Sequence, residues 1–269
     1  MITVEMRRVS VRYGKKPVLD DITCALKPGE LTGLIGPNGS GKSTIIRALS
    51  RTVPVTSGMI TFNGRNIDAV PRREFARLLG VVPQMPLLPS AFTAFEIVLL
   101  GRHPHLGLLQ REGPQEVAIT WEAMARTGTQ ALAERPINEL SGGEIQCILI
   151  ARVIAQRTEV ILLDEPTANL DIGRQVEMLS LIRGLCRESR LTVLAAIHDL
   201  NLAAQYCDRL VMIDRGRVYA EGTPAEVITA ANVKEVYGAD SCVYTHPVNG
   251  LPVVLHNACG AAAGALNGG

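Results

Sequence analysis

The stretch GPNGSGKST, at residues 36–44, has the composition and spacing of a phosphate-binding loop. It fits the pattern G-x-x-x-x-G-K-[ST] and lies between an apolar predicted strand, 31–36, and a predicted helix, 42–50. Glycines permit backbone angles that a β-carbon forbids, so successive N–H groups can surround phosphate oxygens. We predict Lys42 at the β- and γ-phosphates, Ser43 on Mg²⁺ and Thr44 at the α-phosphate. The other loop residues are Gly36, Pro37, Asn38, Gly39, Ser40 and Gly41.

Two acidic residues end the apolar stretch VILLDEP at residues 160–166. Asp164, at the end of a predicted strand, could hold Mg²⁺ directly or through water. Glu165 is the candidate base that activates an attacking water. A base beside a metal-binding carboxylate is what hydrolysis of a nucleotide needs, so the pattern predicts an enzyme rather than a storage protein.

A second possible anion site begins the stretch LSGGEIQCILIAR at residues 140–152. Ser141, Gly142 and Gly143 open a predicted helix and would leave backbone N–H groups free, which suits a phosphate. A chain with a complete phosphate loop does not obviously need this second helix start, and the residues alone do not explain it.

Strands that alternate with helices must position these residues. Such alternation predicts a mostly parallel sheet with helices on both faces. Between Met85 and Ala155, prolines and glycines separate helical patterns, which predicts an inserted helical subdomain. Two short helices, a small β segment near 242–255 and a frayed tail should follow Gly222. The predicted strands are 2–13, 31–36, 58–64, 78–84, 159–164, 191–197 and 209–214, with a helix at 172–187.

The composition limits the kinds of function that this protein can have. Of the 269 residues, 47% are apolar and 20% charged, which is typical of a globular protein. Lys and Arg number 27 against 26 acidic residues, so we expect no broad attraction to nucleic acid or lipid headgroups. The six scattered cysteines favour reduced, packed thiols. No secretory leader or membrane-spanning run is recognised, so a membrane role would need a partner.

Together, and in their order along the chain, these motifs resemble those of the ATP-binding subunit of an ABC transporter. The resemblance covers nearly the whole chain. LSGGE, 140–144, resembles the family signature, and Gln84 lies at the Q-loop position. Residues 168–171, which include Asn169 and end in Asp171, lie at the D-loop, and His198 lies at the switch position. Tyr13 falls where the family stacks an aromatic ring on adenine.

The resemblance implies an α/β fold, with a P-loop NTPase (RecA-like) core, an N-terminal antiparallel β subdomain and an inserted α-helical subdomain. The core would comprise 1–84 and 156–222, the helical subdomain 85–155, and a C-terminal extension 223–269. Two chains would close head to tail on ATP, with Ser141, Gly142 and Gly143 holding the partner's γ-phosphate. This arrangement would explain the second helix start.

The resemblance also assigns roles to single residues. His198 would contact the γ-phosphate, against the alternative of an ordinary surface or core histidine. Gln84 would sense Mg²⁺ and water, or be a plain strand-end amide. Tyr13 would stack on adenine, or simply pack in its strand. Two residues depart from the family pattern: Glu144 stands where Gln is common, and Cys147 where Arg is common, and we expect Cys147 to be an inert thiol.

Two further segments indicate the kind of transporter. LLGRHPHLG, 99–107, and VYTHPVNGLPVV, 243–254, resemble segments of importers for iron-siderophores, haem and vitamin B12. We therefore predict an ATPase of this class at the cytoplasmic face of the membrane, with two transmembrane permease subunits, a substrate-binding protein and no nucleic acid. A zinc or manganese importer ATPase, or a soluble ATPase acting on nucleic acid or ribosomes, are the alternatives. His103 and His105 are expected to be solvated or partner-facing rather than metal ligands.

Overall fold

The computed structural model describes residues 1–84, 88–107, 109–168 and 170–256. The strands are β1 (Val4–Tyr13), β2 (Lys16–Leu26), β3 (Leu31–Ile35), β4 (Ser57–Phe62), β5 (Arg65–Asn66), β6 (Leu79–Val82), β7 (Val160–Asp164), β8 (Thr192–Ala196), β9 (Arg209–Asp214), β10 (Arg217–Gly222), β11 (Ser241–Thr245) and β12 (Pro252–His256). The α-helices are α1 (Lys42–Leu49), α2 (Arg72–Leu78), α3 (Ala94–Leu99), α4 (Pro114–Arg126), α5 (Gly142–Gln156), α6 (Ile172–Ser189), α7 (Leu200–Tyr206), α8 (Pro224–Val227) and α9 (Ala230–Tyr237). A six-residue 3₁₀ segment, Leu100–His105, follows α3.

A six-stranded sheet carries the candidate catalytic residues at the carboxyl ends of its strands. Its strand order is β10-β9-β3-β8-β7-β6. Every neighbouring pair is parallel except β9 and β10, which form an antiparallel hairpin. The strands β3, β7 and β8 are buried along their whole length, as expected for parallel strands covered on both faces. The predicted mostly parallel sheet is confirmed, and the carboxyl ends of β3, β7 and β8 lie side by side.

A second sheet, in the order β2-β1-β4-β5, forms the N-terminal part of the molecule and is antiparallel throughout. The alternation in residues 2–13 correctly predicted β1, but β2 carried no sequence signal that we recognised. Its pairing with β1 is interrupted by register shifts, and Asp21 adopts a positive φ of 58°. These irregularities break the two-residue period on which strand prediction depends.

Three helices from the predicted inserted region pack on one another. Ile97 and Val98 of α3, Met124 of α4 and Ile148 of α5 belong to one buried apolar cluster. Among the described residues of this region, only an isolated bridge between Thr93 and Pro136 has β character. The helical character of this region therefore agrees with the sequence pattern, whereas the subdomain boundaries themselves stay a prediction.

The C-terminal extension folds back onto the core. Val233 and Val236 of α9 and Val254 of β12 lie in the same buried cluster as the strands of the large sheet. β11 and β12 form an antiparallel hairpin that packs against α7. The predicted tail lies outside the described residues. In the described ranges, no helix is both long and apolar enough to cross a bilayer.

Candidate active site

The phosphate loop connects the buried strand β3 to helix α1. Gly36 has φ 147°, and a β-carbon there would overlap the carbonyl oxygen of Ile213. Gly41 precedes α1 with φ 115° and no side-chain cap, so the first N–H groups of the helix have no side-chain acceptor. The loop therefore presents backbone donors at a helix N-terminus, which is the arrangement that binds phosphate.

Lys42 is buried at the start of α1, with 5% of its surface exposed. Its Nζ donates to the carbonyl oxygens of Gly36, at 2.7 Å, and Pro37, at 3.0 Å. Burial lowers the pKa of Lys42, while the carboxylates of Glu165 and Asp164 oppose that effect. An ammonium group held inside the loop by its own backbone can turn to an anion in the loop.

Ser43 and Asp164 bring two oxygens together beside the loop. The Ser43 hydroxyl donates to Asp164 Oδ1 over 3.0 Å. Burial raises the pKa of Asp164, and the hydrogen bond from Ser43 opposes the rise. Mg²⁺ prefers oxygen ligands at about 2.1 Å in octahedral geometry, which places neighbouring ligands about 3 Å apart. The hydroxyl and carboxylate therefore fit a magnesium ion in chemistry and in spacing.

Glu165 links the other two predicted catalytic residues. Gln84 Nε2 donates to its Oε2, and His198 Nε2 is hydrogen-bonded to its Oε1. Glu165 has φ 54°, a left-handed conformation that is costly for a residue with a β-carbon and often marks a functional site. The structure thus joins three residues that the sequence analysis placed in one site, and it adds a contact that spacing alone could not predict.

The position of His198 follows from the elements on either side. The preceding residue, Ile197, donates its N–H to the carbonyl oxygen of Leu34 at 3.1 Å, which extends the pairing of β8 with β3. The following residue, Asp199, caps α7 by accepting from the N–H groups of Asn201 and Leu202. His198 therefore lies at the carboxyl edge of the sheet, between a buried strand and a capped helix.

The signature segment begins helix α5, separately from the phosphate loop. Ser141 caps α5, and its backbone N–H and its hydroxyl both donate to Glu144 Oε2 at 2.8 Å. These hydrogen bonds lower the pKa of Glu144. Within the described part of the chain, no hydrogen bond or ion pair joins Ser141, Gly142 or Gly143 to the phosphate loop or to Glu165. Within the described part of one chain, the signature is therefore not bonded to the candidate catalytic residues.

The remaining predicted residues lie at the ends of elements. Tyr13 ends β1 and exposes 43% of its surface, so its ring is accessible to a ligand. Asp171 caps α6 by accepting from the N–H of Arg174 at 2.8 Å, a helix-capping role that the sequence analysis did not identify. Asn169, in the D-loop, lies outside the described residues. Cys147 is half-buried, and burial raises the pKa of its thiol, in line with the expected inert thiol.

His105 is half-buried and bonded within its own chain, which differs from the expectation that its side chain is solvated or partner-facing. Its Nε2 is hydrogen-bonded to the carbonyl oxygen of Gln156 at 2.8 Å, and burial lowers its pKa. The neighbouring Arg102 is also buried and donates to the carbonyl oxygen of Ala155. The side chain of His103 is 60% exposed, and its Nε2 lies 3.4 Å from Oε1 of Glu112. Sequence could not separate the two histidines because the 3₁₀ turn, which directs them differently, was not predicted.

Comparison with known proteins identifies the family. Residues 19–168 match the ABC transporter family. The chain belongs to the ABC transporter family. It is 38% identical to the achromobactin transport ATP-binding protein CbrD of Dickeya dadantii, over 95% of each chain, and 41% identical to the hemin import ATP-binding protein HmuV of Rhodococcus jostii, over 94% of this chain and 86% of the relative. It is 38% identical to the cobalamin import ATP-binding protein BtuD of Halobacterium salinarum, over 94% of this chain but 63% of that longer relative.

Solved structures of ABC proteins share the fold. A protein described as a metal-chelate type ABC transporter, in an inward-facing conformation, superposes with a TM-score of 0.84 at 24% identity, over 96% of this chain and 98% of the other. The bacterial ABC transporter cassette MJ0796, in its dimeric structure, has a TM-score of 0.74 at 26% identity, over 82% and 98%. The α/β cassette fold is thereby confirmed, and this ABC protein is a nucleotide-binding, ATP-hydrolysing transport ATPase.

Proposed function

We propose that this chain hydrolyses ATP to power a metal-chelate importer, with iron-siderophore, haem or cobalamin as the class of cargo. The named relatives transport achromobactin, hemin and cobalamin, which favours a chelate over free zinc or manganese. The subunit would lie on the cytoplasmic face of the membrane, held there by permease subunits that receive cargo from a binding protein. Its own role is to bind and hydrolyse ATP.

The joint contact of Gln84 and His198 with Glu165 carries the catalytic part of this proposal. Glu165 would act as the base that accepts a proton from the attacking water. Each of its carboxylate oxygens accepts one hydrogen bond and keeps a lone pair, so Gln84 and His198 can hold Glu165 in place while it accepts that proton. From these positions beside Glu165, His198 would contact the γ-phosphate and Gln84 would sense Mg²⁺ and water.

Ser43 and Asp164 would hold Mg²⁺, with Gln84 at its outer side. When bound, the ion would neutralise negative charge on the β- and γ-phosphate oxygens. Lys42 would leave the carbonyl groups of Gly36 and Pro37 and bind the same phosphates. Tyr13, exposed at the end of β1, would stack on the adenine.

Two chains would complete each site between them. The signature helix start of one chain would hold the γ-phosphate bound to the phosphate loop of the other. This proposal is supported by the separation of the signature from the phosphate loop within one chain, and by the dimeric structure of the related MJ0796 cassette. Closure would then depend on a phosphate group that hydrolysis removes.

A groove beside the 3₁₀ segment would receive the permease. It has a volume of about 440 Å³ and lies between α2, the end of α1 and the helical region. Phe75, His103, Pro104 and Arg152 are among the residues that line it. The groove borders both the sheet and the helices, so a segment seated there could transmit movement between them.

The Glu165→Gln variant tests the catalytic assignment. The amide keeps the size of the side chain but cannot accept the water's proton, so hydrolysis should slow by at least about 100-fold. Binding of MgATP should be near normal, and the ATP-bound variant should accumulate as a dimer in size-exclusion chromatography. Glu188→Gln, a substitution of an exposed glutamate on α6, is the matched control and should hydrolyse ATP normally. Turnover by Glu165→Gln close to that of the unaltered chain would remove Glu165 from this role.

A further inference from the structure

The side chain of Asn201 ties helix α7 to the C-terminal hairpin. Its Oδ1 accepts from the N–H of Val254 at 2.7 Å, and its Nδ2 donates to the carbonyl oxygen of Val254 at 3.2 Å. Val254 lies in β12 opposite Val243 and is buried. One side-chain amide thus satisfies both backbone groups of a strand residue, much as a neighbouring strand would.

This contact lies close to the switch histidine. Asn201 follows His198 by three residues, and Asp199 between them caps α7. The helix has only seven residues, and helices this short are not stable by themselves. The position of α7 therefore depends on what it packs against, and β12 is a main neighbour. Because His198 directly precedes the cap, the direction of its side chain depends on the seating of α7.

The same C-terminal extension also reaches the phosphate loop. Tyr237, the last residue of α9, packs against the large buried core. Burial raises the pKa of its phenol, and the backbone of Gly36 opposes that rise, so the phenol oxygen lies near the first glycine of the loop, where it has no hydrogen-bond partner among the described residues. The extension therefore borders the site at two points, at α7 and at the start of the loop.

We propose that Asn201 is a positioning residue for ATP hydrolysis: its paired hydrogen bonds to Val254 seat α7 on the C-terminal hairpin and so hold His198 in reach of Glu165. The inference rests on the proposed role of His198 in the site. The C-terminal hairpin would then contribute to catalysis by holding α7 in place, in addition to packing on the core.

The first test compares single variants of the full-length chain. Asn201→Ala removes both hydrogen bonds and should lower kcat about 10-fold, since small displacements of catalytic groups are costly. The KM for ATP should stay near normal because Lys42 and Tyr13 are untouched. Asn201→Asp keeps the acceptor for the Val254 N–H, so its kcat should lie between those of the unaltered chain and Asn201→Ala. Gln205→Ala removes a different hydrogen bond between α7 and the hairpin, to Asn249, and should leave kcat near normal.

The decisive test combines these changes with His198→Ala. If Asn201 acts through His198, then Asn201→Ala or Asn201→Asp should cause little further loss of kcat in the His198→Ala chain. An equal fractional loss in both backgrounds, or a normal kcat for Asn201→Ala alone, would overturn the inference. A normal kcat for His198→Ala would instead refute the proposed role of His198, and the inference with it. Thermal unfolding of each variant shows that the chain is folded, and Asn201→Asp replaces Asn201→Ala if the latter is not.

Discussion

At the scale of single residues, Glu144 places a negative charge at a helix start that is proposed to bind a phosphate. The structure shows what the carboxylate does for its own chain, since it accepts two hydrogen bonds from Ser141 and lies 3.6 Å from Arg135. A negative charge in the first turn of a helix is stabilising. Glu144 therefore stabilises the fold at a position where charge would oppose the partner's phosphate.

The pH dependence of stability tests this role. The lowered pKa of Glu144 means that its contribution to folding is complete above the ordinary value of 4.5 and is lost as the pH falls through the lower pKa of the folded chain. Glu144→Gln keeps the cap but not the charge. At pH 7 it should lose roughly 0.3–1 kcal/mol of unfolding free energy, and at pH 3, below the ordinary pKa of 4.5, the difference should be smaller. Urea unfolding at both pH values measures this.

Glu134→Gln, a substitution of an exposed glutamate before the signature, is the control and should show no such pH-dependent difference. A stability difference for Glu144→Gln that stayed constant from pH 7 to pH 3 would contradict the assigned hydrogen bonds.

The residue types of the site could be predicted from sequence because each belongs to a local motif with its own spacing. Lys42, Ser43, Asp164 and Glu165 were predicted in this way. The contact of Gln84 and His198 with Glu165 could not be, because it joins the ends of three strands that are distant in the chain. Asn201 was missed for the same reason, since its partner Val254 lies in a hairpin that the sequence places only approximately.

At the scale of elements, the 3₁₀ segment Leu100–His105 links the sheet to the helical region. On one side, Arg73 and Arg77 of α2 donate to the carbonyl oxygen of Pro104 at 3.1 and 2.8 Å. On the other, Arg102 and His105 bond the last carbonyl groups of α5. The segment is thus fixed to both neighbours and presents His103 to the groove. The sequence predicted helices here but not this turn, because its geometry depends on the elements that hold it.

Substitutions in this segment should therefore divide into two kinds. Arg102→Leu leaves the carbonyl oxygen of Ala155 without its buried donor and should cost about 1–3 kcal/mol of unfolding free energy.

His103→Ala changes an exposed side chain of the groove and should leave stability and basal ATP hydrolysis nearly unchanged, while it weakens transport by the complete transporter. Thermal unfolding, ATPase and uptake assays of both variants separate these effects. Normal transport by His103→Ala would argue that His103 does not contact the permease, and normal stability of Arg102→Leu would contradict its structural role.

At the scale of the whole molecule, the central claim is that one chain holds two halves of different ATP sites. The phosphate loop, Asp164, Glu165, Gln84 and His198 form one half. The signature, from Ser141 to Gly143, has no hydrogen bond or ion pair to those residues in the described ranges. The motifs and their order predicted the cassette fold, and the family resemblance of the signature motif, rather than composition or spacing, predicted that Ser141, Gly142 and Gly143 face a second copy.

Mixing two inactive variants tests this claim most directly. Lys42→Ala removes the charge that would hold the β- and γ-phosphates, and Ser141→Arg places a bulky side chain where the partner's γ-phosphate would bind. Each homodimer then has two damaged sites and should be nearly inactive. In the mixed dimer both lesions fall in one site, and the other pairs an intact loop with an intact signature. We expect ATP hydrolysis to return when the two purified proteins are mixed. No recovery in a mixture shown to form heterodimers, or full activity of Ser141→Arg alone, would contradict the shared site.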